Sequence, residues 1–248
     1  LLNTALAKPT KEVLQAPLIY DVLRQGWVWG LCLGLVGQAA WGVPIRYHVA
    51  TNGNDGADGL SWATPLQTVT AAVAKAVDGD TVMLSNGVFS LTAQLEITNN
   101  ILLTSTNGAS QTVLDAGGVA GRRVIYMTAA GAMVENLTLT RGNAAAAMPA
   151  NVGGAVYMTA GWVRNCIITN NAAYNYGAGV YLTGGVVSNC LMTMGSAGYH
   201  GGCGAALTGG LVTHCDIRKN SATRAAGGVH LFGGMVRNST IRENTCSW

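Results

Sequence analysis

Three cysteines occupy the same place in three successive copies of a repeated segment, "VRNCII", "VSNCLM" and "VTHCDI", as Cys166, Cys190 and Cys215. Thiolates at fixed spacing serve as zinc ligands and paired thiols close disulfides, so the first question is whether these three do chemistry or fill space. Other groups also have residue types suited to chemistry. Asp216, Arg218 and Arg242 bring one carboxylate and two guanidiniums into adjacent repeats, the makings of a catalytic set with Arg218 as base or of a solvated ion pair. Tyr157, Tyr181 and His230 share one position of the repeat, where exposed rings can contact a glycan or serve as ordinary strand formers. Asp55 and Asp58 lie in "NGNDGADG", which has the composition of a calcium loop and equally that of a plain turn. His200 and His214 read as turn residues rather than ligands.

What these groups can do depends on the elements that carry them. Val156, Val180, Ala205 and Val229 recur at intervals of 24, 25 and 24 residues, each followed two residues later by Met158, Leu182, Leu207 or Leu231. Tyr157, Tyr181, Ala206 and His230 lie between them, so one set of side chains turns inward and the other outward, as along a strand. A bend follows at Asn136, Asn165, Asn189, His214 and Asn238, because Asn tolerates the left-handed backbone better than most residues with a side chain. Past it run two inward columns, Leu137, Cys166, Cys190, Cys215 and Ser239, then Leu139, Ile168, Met192, Ile217 and Ile241. "GN", "NN", "MG" and "KN" mark a second turn. The 34 glycines and the lack of room for a 3.6-residue period exclude helical repeats.

The fitting architecture is all-β, a right-handed parallel β-helix solenoid with each repeat forming one coil about 4.8 Å from the next. Equivalent residues then pile up in lines. Three stacked thiols do not converge on one ion, and a disulfide prefers Cβ atoms closer than the coil spacing. Cys166, Cys190 and Cys215 are therefore expected to be core, as small hydrophobes. Cys203 and Cys246 fall off that column, in or near turns, where they are candidates for pairing with each other or with a cysteine elsewhere.

The segments "GGAVY…NCIITNNAA" and "KNSATRAAGGVH" resemble the GGA(I/V) and N-S-A repeats of polymorphic outer-membrane proteins, autotransporter-type adhesins, within the broader pectate-lyase-like β-helix superfamily. The likeness is close over residues 120–248 and looser upstream. For the polysaccharide lyases and hydrolases of that superfamily, the resemblance implies carboxylates, basic residues and often calcium on an outward strand face. Here the outward positions are Tyr157, Tyr181, Ala206 and His230, then Thr159, Thr183, Thr208 and Phe232, with no carboxylate among them.

Residues 1–42 read as a leader and a signal peptide, whose apolar core is "GWVWGLCLGLVG"; the uncharged stretch 26–45 also allows a membrane anchor. Residues 43–80 are expected to form an N-terminal cap that resembles the opening of bacterial β-helix proteins. In it Val69, Ala72, Val73, Ala76 and Val77 make an apolar helical stripe, started by Thr68 or Thr70 and ended by Gly79. Residues 81–248 are expected to be coils, cut short at the C-terminus and part of a longer chain. A formal net charge of +3 with only 10% charged residues gives no sign of the dense basic patch of a nucleic-acid binder. The expectation is an exported structural or binding segment of an adhesin-like protein, secreted or at the cell surface, that meets glycans or a neighbouring cell and needs no cofactor. The alternative is a fragment of a polysaccharide lyase or glycoside hydrolase.

Overall fold

The structure, a computed structural model, describes residues 43–145, 151–198 and 200–247. The leader, signal and anchor readings of residues 1–42 lie outside them. Residues from Val43 onward form one compact unit.

The repeat becomes a coil because each one holds two left-handed corners. The first is Asn136, Asn165, Asn189, His214 and Asn238, with φ between 49° and 60°. The second is Arg141, Asn170, Met194, Lys219 and Glu243, with φ between 52° and 54°. Each corner turns the chain sharply without a helix, so strands of three residues alternate with bends. Among the described residues four parallel sheets of eight, seven, six and five strands result, and every strand except the two at the ends of each sheet pairs with its equivalents in the coils before and after. The register is that of the sequence repeat: Val156, Tyr157 and Met158 face Val180, Tyr181 and Leu182, which face Ala205, Ala206 and Leu207. A one-residue slip would turn every buried column to solvent, which is why the register is strongly specified.

The interior is a set of apolar columns. Val134, Val163, Val187 and Val212 line the eight-stranded sheet, and Leu139, Ile168, Met192 and Ile217 line the seven-stranded one. All eight are buried, each side chain contributing about 1.5–3 kcal/mol of transfer free energy. Ile241, the last of its column among the described residues, is 50% exposed. The five-stranded sheet closes a narrower corner, with Ala144, Ala173, Ala197 and Ala222 as its inner column. Gly154 belongs to that corner, since a Cβ there would lie 2.3 Å from the Ala172 carbonyl oxygen.

Asparagine also works inside the stack. Asn171 Oδ1 accepts from the Gly142 N–H at 2.8 Å, and Asn220 Oδ1 accepts from the Gly195 N–H at 2.9 Å. Asn220 Nδ2 donates to the Met192 carbonyl and to Asn244 Oδ1, at 3.1 and 2.9 Å. These side chains satisfy backbone groups that the second corner removes from the sheets.

The single helix among the described residues is Val69–Lys75, capped by the Thr68 hydroxyl, which accepts from the Ala71 N–H. It packs on strands Arg46–Val49, Thr81–Leu84 and Leu95–Ile97 at the first coils. Its end differs from the expected one. Ala76 is the C-cap, and Val77 lies outside the helix, 59% exposed. Asp80 is the reason: its carboxylate accepts from the Val77 and Ile45 N–H groups and pulls the chain out before Gly79 is reached. Strand Arg46–Val49 also pairs with Thr81–Leu84, so the start of the cap is the first strand of the eight-stranded sheet.

Asn220→Ala leaves the Gly195 N–H buried without the partner that Asn220 supplies and removes one of the donors to the Met192 carbonyl, which should cost about 1–3 kcal/mol. The denaturant midpoint of unfolding, compared with wild type, checks this.

Candidate functional site

The outer face of the six-stranded sheet carries one continuous column: Glu96, Tyr126, Tyr157, Tyr181, Ala206 and His230. The parallel register makes it, because each strand puts its central residue outward over that of the coil below. Tyr126 and Tyr157 stack with centroids 5.4 Å apart and 13° between planes, and Tyr157 and Tyr181 repeat the contact at 5.4 Å and 26°. The Arg123 guanidinium lies 5.5 Å from the Tyr157 centroid, while its N–H groups donate to the Val152 and Gly153 carbonyls and to Gln94 Oε1. Arg123 is buried, and desolvation lowers its pKa against the pull of Tyr157 and Tyr126. Burial and the two flanking phenols raise the pKa of Tyr157, outweighing Arg123, so the hydroxyl stays protonated at neutral pH. With neighbours on both faces, the Tyr157 ring turns its edge and hydroxyl outward rather than a stacking face.

A second column runs beside it. Thr159, Thr183 and Thr208 continue the ladder by donating backbone N–H groups to Met127, Met158 and Leu182, at 3.0, 3.0 and 2.9 Å. Their side chains are exposed, and Phe232 tops the column. Two rows of hydroxyls thus repeat at the coil spacing, about 4.8 Å. Neither row contains Lys or Arg.

The phenol row breaks at Ala206, which is fully buried. Tyr176 takes up the gap: its ring stacks on His200 at 5.1 Å and meets His230 and Phe232 edge-on at 5.3 and 5.0 Å. His230 stacks on Phe232 at 4.2 Å, and its Nδ1 contacts the His200 carbonyl at 3.2 Å. Tyr157, Tyr181 and His230 therefore share a face, with His230 set apart in an aromatic cluster. Glu96, Tyr126 and Tyr176 were not singled out from the sequence. "IYMT" at residues 125–128 repeats "VYMT" and "VYLT" and would have revealed Tyr126.

The charged cluster lies on the seven-stranded sheet. Arg242 sits over Arg218, and Asp216 Oδ2 accepts from Arg242 at 3.1 Å with Arg218 Nε at 3.3 Å. Asp216 Oδ1 is buried without a hydrogen-bond partner among the described residues. Arg242, partly desolvated, is held above its usual pKa by Asp216 and Glu243. The three side chains form an ion-pair network on the sheet face.

Cys166, Cys190 and Cys215 are buried free thiols, each donating to the carbonyl two residues earlier at 3.2–3.3 Å. The Cys166 thiol first, then burial, pushes Cys190 well above its ordinary pKa. Contact with Cys190 and burial do the same for Cys215. Cys203 lies in the bend before strand Ala205–Leu207, near a turn as expected, but inside the stack rather than at its surface. It is fully buried among Ala144, Ala173, Ala178, Ala197 and Ala222, and burial pushes its pKa up to about 12. Cys246 lies in a strand, extending the alanine column in register with Ala222, and both are free thiols. The short repeat of the five-stranded sheet, two residues per strand, hid this register.

Asp55 uses Oδ1 to accept the Gln67 and Thr68 N–H groups and Oδ2 to accept the Thr68 hydroxyl. Asp58 Oδ1 accepts from the Leu60 N–H and the Thr64 hydroxyl. Asp55 thus ties the loop to the start of the helix, and Asp58 closes the loop on itself. Despite some desolvation, the Thr68 and Gln67 bonds lower the Asp55 pKa, as the Thr64 bond lowers that of Asp58. His214 is at a corner, with Nδ1 3.0 Å from the Thr213 hydroxyl. No group of three or more His, Cys, Asp or Glu fit to hold a metal ion occurs among the described residues.

No family model matches the chain, and no curated protein matches it. Among solved structures, pectate lyase Pel9A aligns with a TM-score of 0.56 at 19% identity, covering 79% of this chain and 54% of that one. The chain thus spans about half of that structure, and the likeness establishes a pectate-lyase-like parallel β-helix fold. Escherichia coli YbhC aligns at 0.49 and 12% identity, over 81% of this chain and 72% of that one. A pectin methylesterase variant in complex with a hexasaccharide aligns at 0.45 and 16%, over 78% and 66%.

Two outcomes follow. Site-mapped alkylation of the native protein at mildly alkaline pH should leave Cys166, Cys190, Cys203 and Cys215 unlabelled until unfolding, with half-buried Cys246 reacting first. Because folding depresses the Asp55 pKa, its contribution to stability is full above the ordinary value of 3.8 and is lost as pH falls through the folded value. Asp55→Asn should therefore flatten acid unfolding in that window, and millimolar calcium should leave the wild-type thermal midpoint unchanged.

Proposed function

We propose that this chain is a non-catalytic, exported β-helix segment of adhesin type that holds neutral glycans along the outer face of its six-stranded sheet. One observation carries the reading: two parallel rows of hydroxyls, on Tyr126, Tyr157 and Tyr181 and on Thr159, Thr183 and Thr208, repeating at the coil spacing. A glycan chain is itself a periodic row of hydroxyls, so regular donors and acceptors on a stiff support meet it without ordering a loop. The absence of Lys and Arg from both rows favours a neutral chain over a polyuronate, whose carboxylates would need cationic partners. Arg123 is committed to backbone carbonyls, Gln94 and Tyr157.

The adhesin reading also draws on the likeness of the repeats to those of polymorphic outer-membrane proteins, and export on the apolar run "GWVWGLCLGLVG". The alternative, part of a polysaccharide lyase or glycoside hydrolase, draws on the fold likeness alone.

Titration calorimetry with hexasaccharides of β-1,4-linked glucose, mannose and xylose tests the proposal. At least one should bind, and Tyr157→Ala and Tyr181→Ala should each weaken it about fivefold to tenfold, the loss of roughly one hydrogen bond with its packing. Release of reducing ends or unsaturated products from these sugars or from polygalacturonate would favour the enzyme reading instead.

A further inference from the structure

The phenol column ends on a carboxylate. Glu96 stands in register with Tyr126, one coil below it. Beside Glu96 a cleft of about 360 Å³ opens between the helix and the first strand of the six-stranded sheet, with Thr70, Val73 and Ala74 on one wall and Gln94, Glu96 and Thr98 on the other. That volume is at the small end of ligand sites, roughly 300–1,000 Å³, and suits a sugar ring or two rather than a long chain.

Its polar groups are held in place from behind. Arg123 Nη1 donates to Gln94 Oε1 at 3.1 Å, and Gln94 Nε2 donates to Glu96 Oε1 at 3.2 Å. The buried guanidinium under Tyr157 thus orients the amide, which orients the carboxylate. Glu96 itself is exposed and makes no ion pair among the described residues. Its remaining acceptor sites face a cleft whose opposite wall includes the half-buried Val73 and the methyl of Ala74. A pyranose has the matching character, hydroxyls at its rim and C–H groups on its faces. An anionic sugar would bring its carboxylate against that of Glu96.

We propose that this cleft is an end subsite that takes the terminal residue of a neutral glycan laid along the Tyr and Thr rows, with Glu96 accepting hydrogen bonds from its hydroxyls. The proposal rests on the glycan reading of that face and adds a defined end and a charge rule. A carboxylate accepts more strongly than a neutral group, so one residue in the cleft anchors a chain whose other contacts are weaker.

The test uses the full chain and the same three neutral hexasaccharides, with a galacturonate hexamer as anionic probe. Ala74→Trp fills the cleft from an exposed helical position, and Glu96→Gln keeps its shape while removing the charge. Each variant should keep the wild-type thermal midpoint and weaken the bound neutral hexasaccharide about tenfold. Glu96→Gln should also narrow the gap between the neutral and galacturonate hexamers. Wild-type affinity in both variants, with Tyr157→Ala still weakened, overturns the cleft and leaves the face standing. No binding of any neutral hexasaccharide to wild type overturns both. If Ala74→Trp lowers the midpoint, Thr98→Trp fills the same space from the strand side and decides the matter by the same affinity readout.

Discussion

In-register stacking of like residues on like is the constraint from which the rest of the structure follows. It requires a backbone that turns sharply at fixed places, and two left-handed corners in each coil supply that. Most are held by Asn, His, Lys or Arg rather than glycine, at some conformational cost per corner. The cost is offset because each coil presents its backbone N–H and C=O groups to two neighbours and its apolar residues to a shared interior. Where a corner takes backbone groups out of the sheets, Asn171, Asn220 and Asn244 reach inward and restore the missing partners.

The same stacking governs what the side chains can do. A column multiplies whatever residue occupies it. Valine becomes a core wall, cysteine a line of inert thiols, tyrosine a ladder of phenols, threonine a row of hydroxyls. Repetition favours ligands that are themselves repetitive, and it works against convergent sites, since groups in one column point the same way and lie a coil apart. Asp216, Arg218 and Arg242 illustrate this: one carboxylate is shared between stacked guanidiniums. Groups from different elements do converge at the end of the stack, where the helix crosses the first coils and closes a cleft beside Glu96.

The helix shows how local and tertiary signals compete. Its apolar stripe runs through Val77, and the glycine that should stop it is Gly79. Asp80 intervenes because the first coil needs its carboxylate to hold both the Val77 and Ile45 N–H groups. A buried carboxylate with two backbone donors outweighs the modest gain of one more helical residue on an exposed position. Cys203 and Cys246 carry a related lesson. Two-residue strands are too short to show period-two alternation, so the place of Cys246 in the alanine column became visible only through its pairing, and that of Cys203 only through the bend that packs it against those alanines.

By itself the sequence determined the coil, its register, the corner residues and the inward fate of Cys166, Cys190 and Cys215, because a parallel stack translates sequence period directly into spatial neighbours. It also put Tyr157 and Tyr181 on one outer face. Only the tertiary structure decided that Tyr157 shows an edge instead of a stacking surface, that Tyr176 crosses the gap at Ala206, and that Gln94, Glu96 and Arg123 form a relay at the foot of the column. The Tyr176 and Arg123 contacts join residues from unlike positions of different coils. No repeat encodes them, since they depend on how side chains of different length fill the space left by irregular neighbours.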